Sequence, residues 1–312
     1  MQNKIKHVSL LFLSILIGAA FIYSSYTKTY TLESFQLFEF TIIEYLKFPW
    51  LLAIVSSRLL VGIELSLGVL IIFRFYGNLK WVLKLAIGLL AVFNLYLVYL
   101  WIIAGNNINC GCFGDAIWMS PASSLAKNFI LILGIWLLIK YQSGIHLRWA
   151  HLGSLVLLLA LSGVPYALYP IPDHQPQWLQ KQRFQPDLSA IYEVGKPCPP
   201  VDLSKGKHII AFLSLSCPHC QMAGYKMHLM KQKNPTLPFH MVVAGKQQNW
   251  KPFWDKTKAQ NIPYTRLESE AFTNIAGYSW PVIYWLKDGW VEAETNFMQM
   301  DQGEIEKWLE KP

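Results

Sequence analysis

Five long apolar runs in the first half of the chain constrain its fold more than any other feature. They cover residues 7–25, 50–73, 81–104, 124–139 and 149–169. A helix needs about 20 apolar residues to cross a bilayer. Unpaired backbone cannot sit in lipid, so each run reads as a membrane-spanning helix. The first also has the length of a signal peptide, but no persuasive small-residue cleavage site follows it, so it reads as an anchor. The fourth is the shortest. Composition agrees: 53% of the 312 residues are hydrophobic and only 15% charged, where a soluble chain carries roughly a quarter. The remainder, from about residue 170, has ordinary soluble composition.

The positions of Lys and Arg orient the spans. Lys4 and Lys6 precede the first, Arg74, Lys80 and Lys84 follow the second, and Lys140 and Arg148 follow the fourth. These belong on the cytoplasmic side. The loop after the first span holds Glu33, Glu39 and Glu44 with only Lys28 and Lys47. The loop after the third has no cation before Lys127. Both belong outside. The net charge of +8 is therefore a mark of membrane topology rather than of nucleic-acid binding. Five crossings also place the soluble half outside, so the expected location is a bacterial cytoplasmic membrane with the N-terminus inside. The second span contains Arg58 and Glu64. Six residues at ~100° each put them ~240° apart around the helix, so they do not pair with one another. They read as a structural pair with other helices or as a polar site for an electron acceptor.

There are five cysteines: Cys110, Cys112, Cys198, Cys217 and Cys220. That is two close pairs and one spare. Cys217 and Cys220 form CPHC, between the strand-like run HIIAFLSLS and the helical QMAGYKMHLMKQ. The first cysteine then lies at a helix N-terminus, where free amides and the helix dipole favour its thiolate. A protonated His219 adds to this. No second CxxC or His pair is placed to complete a zinc site, so no metal is expected. Cys110 and Cys112 form CGC within NCGCFGD, at the outer end of the third span. A bridge across one residue closes too small a ring to stabilise the chain, so a redox role is expected. Gly111 relieves crowding between the cysteines, and Gly114 permits a sharp return to the membrane. Cys198 reads either as a small buried residue or as a resolving thiol.

Several stretches resemble known families. YSWPVIYWLKDGWVEAE places Pro281 at the start of a strand, a turn at Asp288-Gly289, and a second strand. With CPHC, PFHMVVAG and the amphipathic ending DQGEIEKWLEK, this resembles the thioredoxin superfamily, which implies a cis Trp280-Pro281 bond facing the cysteine pair. VGKPCPPVDL resembles the opening of membrane-anchored TlpA-like thioredoxins, and CPHC resembles the active site of DsbA-type oxidants. IYSSYTKTYTLESFQLFEFTIIE, SSRLLVGIELSLGVLIIF and NINCGCFGD resemble the DoxX/MauE family of four-helix membrane proteins. That resemblance implies a membrane partner for an extracytoplasmic thiol oxidoreductase, with amine-dehydrogenase maturation as a client class.

The expected architecture is an all-α membrane bundle followed by an α/β thioredoxin-like domain. Its parts are a four-helix DoxX/MauE-like domain at 1–145, a fifth span at 146–170, a linker at 171–189 and the thioredoxin-like domain at 190–312. The expected activity is thiol-disulfide exchange with extracytoplasmic proteins at Cys217 and Cys220, recycled by Cys110 and Cys112. No tightly bound cofactor is expected. A lipid quinone is the expected electron acceptor, with Arg58 the cation available to its anion. A reductive transporter of electrons and a non-catalytic docking factor are the alternatives. The first normally needs cysteines inside the spans, which this chain lacks. The second needs neither thiol.

Overall fold

The computed structural model describes residues 2–74, 80–114, 116–141, 149–171, 175–192 and 201–311. Cys198 with its surrounding VGKPCPP, Asp115 of NCGCFGD, Arg148 and the start of the expected linker lie outside them. The chain divides into two compact units, at Ile171/Pro172.

Among the described residues the elements of the first unit are all helices: α1 (Gln2–Thr29), α2 (Leu32–Leu46), α3 (Trp50–Ile72), α4 (Trp81–Ala104), α5 (Pro121–Tyr141), α6 (Ala150–Ser162) and α7 (Val164–Leu168). Among the described residues, five stretches are long and apolar enough to cross a membrane: Lys6–Thr29, Trp50–Ile72, Trp81–Ala104, Pro121–Tyr141 and Ala150–Leu168. The fourth run is thus longer than its apolar residues alone indicate. The fifth is α6 and α7 together, joined at Gly163, with Pro165 in the first turn of α7. Buried Ile17, Leu67, Leu70, Leu83, Ala86 and Leu138 make a core shared by α1, α3, α4 and α5. Glycine lets α1 and α3 touch backbone to backbone. A Cβ on Gly18 would stand 2.6 Å from the Gly68 carbonyl oxygen, and one on Gly68 2.7 Å from that of Gly18. Such close approach is how helices pack where lipid offers no hydrophobic drive.

The acidic segment after the first span, expected to be a loop, is the helix α2. Thr31 caps it, its hydroxyl accepting from the Ser34 amide at 3.1 Å. Lys47 ends it in the left-handed conformation. Phe35, Ile42 and Ile43 recur at helical spacing and are buried, so the segment folds by covering the bundle. Its 15 residues are too few to cross.

The second unit begins with β1 (Gln177–Trp178). It continues through β2 (Lys207–Ser214), α8 (Pro218–Lys233), β3 (Phe239–Ala244), α9 (Trp250–Thr257), β4 (Tyr264–Arg266), α10 (Ser269–Ala276), β5 (Val282–Lys287), β6 (Trp290–Thr295) and α11 (Gln302–Glu310). The sheet order is β1-β6-β5-β2-β3-β4. β2, β3 and β4 run parallel, whereas β5 and β6 are antiparallel to their neighbours. The β5–β6 turn has Asp288 at φ 50° and Gly289 at φ 79°, the two positive values a tight hairpin needs. Phe212, Val242, Tyr284 and Phe272 form the core under α10. On the other face Trp285 packs on Trp308 of α11, ring centres 5.4 Å apart. This is the thioredoxin-like order of strand, CxxC, helix and proline-led hairpin, with β4 and α10 added.

The segment expected to be a linker also contributes to this sheet. Gln177 and Trp178 pair with Glu294 and Ala293 at the β6 edge, and Phe184 bridges to Val291. Trp178 packs edge-on to Trp285 and Phe184 edge-on to Tyr284, while Leu179 and Leu188 pack on the core.

Candidate functional site

β2 is the central strand beside β5, and it delivers the chain to the CPHC turn. Cys217 caps α8 in extended conformation (φ −79°, ψ 122°), its sulfur accepting from the Cys220 amide, and Pro218 opens the helix. Proline is suited to that first position because its missing N–H has no role there. Cys217 is half-buried and Cys220 fully buried. The Cys217 thiol is lowered to about 6. The hydrogen bond from the Cys220 thiol contributes most, then the Cys220 and His219 amides and the His219 charge, against the opposing effect of burial. The Cys220 thiol is pushed up, because it donates to Cys217, is buried and faces a negative sulfur. His219 is exposed and stacks on Phe297, centres 5.1 Å apart and planes 14° from parallel. The Trp280-Pro281 bond is cis. The Cys217 thiol points at the Trp280 carbonyl oxygen, 3.9 Å away. Cys217, Cys220, His219 and Pro281 therefore form one site.

Cys110 and Cys112 lie in the loop between α4 and α5, a second, well-built site. Asn109 ties the loop together, its side chain accepting from the Gly111 amide at 3.2 Å and donating to the Gly114 carbonyl at 3.0 Å. Gly111 and Gly114 both have positive φ, 72° and 59°. Gly114 also lies hard against α1, where a Cβ would meet the Thr27 carbonyl oxygen at 2.8 Å. Cys110 is 2% exposed and Cys112 half-buried. The Cys110 sulfur is 2.9 Å from the Ser124 hydroxyl and accepts from the Cys112 amide at 3.3 Å. Its thiol is lowered to about 6 by the Cys112 thiol first, then by Ser124, that amide and the charge of Lys127. The Cys112 thiol is pushed up by donating to Cys110 and by burial. The four described cysteines are all thiols.

A cavity of about 140 Å³ opens beside both cysteines, walled by α1 to α5. Lys28, Glu64, Tyr96 and Lys127 line it. Lys28 and Glu64 form an ion pair at 2.7 Å, each side chain 3% exposed. The Ser24 hydroxyl, 3.0 Å from the Lys28 ammonium, donates to the Cys112 carbonyl at 2.9 Å. The ion pair is thus wired to the CGC loop.

Arg58 is elsewhere. It pairs with Glu39 of α2, and donates to the carbonyls of Ile54 (2.8 Å) and Tyr169 (2.8 Å). It does not line the cavity. As the helical geometry requires, Arg58 and Glu64 pair with other helices and not with each other. The sequence reading missed Lys28, Ser24, Tyr96 and Ser124. Lys28 was counted only as a flanking cation, and the others carried no spacing signal.

Residues 6–141 match the family model of the methylamine utilisation protein MauE. The chain is 27% identical over 308 residues to Protein TlpB of Flavobacterium psychrophilum, covering 84% of each. Among solved structures it is similar to the thioredoxin domain of a thiol-disulfide oxidoreductase from Bacteroides vulgatus. That match has 13% identity and a TM-score of 0.29, over 35% of this chain and 82% of the other. A second is a secreted Mycobacterium tuberculosis disulfide oxidoreductase homologous to E. coli DsbE. It has 18% identity and a TM-score of 0.26, over 33% of this chain and 80% of the other. Residues 6–141 are thus similar to the MauE family, and they precede a unit with the thioredoxin-like order of elements.

Proposed function

We propose that this membrane thiol-disulfide oxidoreductase is an oxidase of extracytoplasmic protein thiols, working as a two-step relay. The observation that carries the reading is the opposite asymmetry of the two cysteine pairs. In CPHC the low-pKa sulfur, Cys217, is the half-exposed one. In CGC the low-pKa sulfur, Cys110, is the buried one.

A client thiolate attacks Cys217 of the oxidised CPHC pair and Cys220 leaves. The client's second thiol then attacks the client sulfur of the mixed disulfide. The client gains a disulfide and CPHC becomes a dithiol. The Cys217 thiolate next attacks the Cys112 sulfur of the Cys110–Cys112 disulfide, Cys112 being the less buried residue of that pair. Cys110 leaves as a stabilised thiolate, and a low-pKa thiol leaves faster. Cys220 then attacks Cys217 and releases Cys112. The electron pair has passed to the membrane unit, which hands it to a lipid-soluble acceptor of the quinone class. Because α2 does not cross, the parity of five spans is kept. Lys and Arg placement then supports a cytoplasmic N-terminus and a periplasmic C-terminal domain.

The test is to trap thiols in intact cells by alkylation. With respiration running, both pairs are expected oxidised, and with respiration blocked, reduced. Replacing Cys110 and Cys112 by Ser leaves Cys217 and Cys220 reduced. Finding them still fully oxidised in that variant sinks the relay.

A further inference from the structure

We infer that the cavity beside Cys110 and Cys112 is a quinone head-group site in which the Tyr96 hydroxyl donates to a ring oxygen. The inference rests on the relay reading for its electron supply and its acceptor class, and adds to it a place and a donor.

Size comes first. The cavity holds about 140 Å³, and an apolar cavity of roughly 150 Å³ accepts one benzene ring. One substituted six-membered ring is what fits. Its walls are mostly apolar, with Phe21, Phe38, Leu90 and Phe93 among them, so the occupant is uncharged and lipid-soluble. Cys110 and Cys112 both line this cavity. A dithiol closing to a disulfide gives up two electrons and two protons, so the occupant must take both.

The hydroxyl is the second, independent observation. The Tyr96 oxygen is shut off from solvent and has no hydrogen-bond partner among the described residues. An unmet buried hydroxyl costs about 1–3 kcal/mol, and a ligand oxygen accepting from it removes that cost. Lys28 is neutralised by Glu64, which lines the same cavity, and Lys127 leaves one net positive charge there, which favours an occupant whose oxygens gain negative charge on reduction. An uncharged ring with acceptor oxygens that takes up two electrons and two protons is a quinone. Cys110 and Cys112 become a disulfide, and the quinone becomes a hydroquinone.

The test uses the full-length protein in nanodiscs, a decyl-benzoquinone and a short-chain naphthoquinone. Hydroquinone is read by absorbance and the cysteines by alkylation. One quinone reduced per Cys110–Cys112 pair is expected. Tyr96→Phe keeps the ring and loses the donor, so KM for quinone rises about three- to tenfold, one hydrogen bond's worth, with kcat little changed. The midpoint of thermal unfolding without quinone is unchanged or higher, because no protein partner is lost, and the stabilisation by added quinone shrinks. The assignment is overturned if neither quinone oxidises the pair, or if Tyr96→Phe lowers the quinone-free midpoint and leaves KM alone. A parallel sample, fully oxidised with diamide, freed of it and then given one equivalent of a dithiol client peptide, separates this from the relay. Reduction passing from CPHC to Cys110–Cys112 with both quinones inert means the relay stands and the site falls. Quinone turnover without transfer means the reverse.

Discussion

Replacing Cys220 by Ala tests what sets the reactivity of Cys217. The Cys217 thiol sits at about 6, down from about 9, with the Cys220 thiol as the largest cause. At pH 7 about nine-tenths of it is thiolate, against about one-hundredth for an unperturbed group. That ~90-fold gain is largely offset, since nucleophilicity falls with pKa at a slope of about 0.4–0.5. Three pH units then cost about 15–30-fold. The absolute rate at pH 7 is therefore a poor test and the shape of the pH profile a good one. On the reduced full-length protein, iodoacetamide labelling of Cys217 is followed by peptide mass spectrometry from pH 4.5 to 9. The rate rises about tenfold per pH unit up to pH ~6 and levels off above ~7. In Cys220→Ala the break moves up towards 9. It stops short because the Cys220 and His219 amides and the His219 charge remain. Cys220→Ser keeps a donor and keeps the break near 6. A Cys220→Ala profile that superimposes on the wild type refutes the reasoning.

The same shift sets the redox poise, and its sign follows from which form gains. A depressed thiol stabilises the reduced protein. The stabilisation is complete above the unperturbed value, about 9, and vanishes as pH falls through about 6. At pH 7 one pH unit of it remains, at most about 1.4 kcal/mol. Water screens the half-buried Cys217, so this is an upper bound. It makes the CPHC disulfide more oxidising by up to ~30 mV.

Other perturbations follow from the membrane unit. Lys28→Met strands Glu64 at 3% exposure and costs about 3–5 kcal/mol, whereas Lys28→Met with Glu64→Leu recovers most of it; thermal midpoints in detergent read both. Gly62→Val destabilises by about 1–3 kcal/mol, because a Cβ there meets the Ser162 carbonyl oxygen at 2.5 Å and pushes α6 off α3. Gly88→Ala, whose Cβ meets nothing within 4 Å, is the neutral control in the same melts. Ser124→Ala removes a donor that lowers the Cys110 thiol, so the Cys110 labelling profile moves to higher pH while that of Cys217 stays put.

What the sequence made legible was what repeats locally. Apolar runs of span length announced the five crossings, and the third, α4, begins and ends at the expected residues. CPHC between a strand-like and a helix-like run placed Cys217 at a helix start. Asp288-Gly289 announced its hairpin. Tertiary partners were harder to read. α2 looked like a loop because its three glutamates masked an apolar stripe. One of them, Glu39, is neutralised by Arg58 from α3, a pairing no local pattern contains. The same pairing consumes the residue expected to serve the acceptor. Tyr96 gave no signal at all, since one tyrosine among the aromatics of α4 is unremarkable until the cavity beside it is known.

The two cysteine pairs are built on one plan with the buried end exchanged, and in the relay we propose, that exchange sets the direction. In each pair the second cysteine donates to the first and holds it as the thiolate. In CPHC the thiolate is at the half-exposed Cys217, where it can attack another chain's disulfide. In CGC it is at the buried Cys110, and in the proposed relay the partly buried Cys112 takes the attack instead. Cys110 serves best as a leaving group, and it leaves towards a cavity that it shares with Tyr96 and Lys127. Swapping these roles, with an exposed thiolate at CGC and a buried one at CPHC, would make CGC the attacking pair and CPHC the electron sink. The partner thiols, Cys112 and Cys220, do most to hold each thiolate in place, and Ser124 and Lys127 at one site and His219 at the other add to it. A chain carrying Ser124→Ala and Lys127→Met should therefore slow transfer from CPHC to CGC while leaving Cys217 labelling unchanged. Unchanged transfer in that chain would mean that the asymmetry has no part in direction.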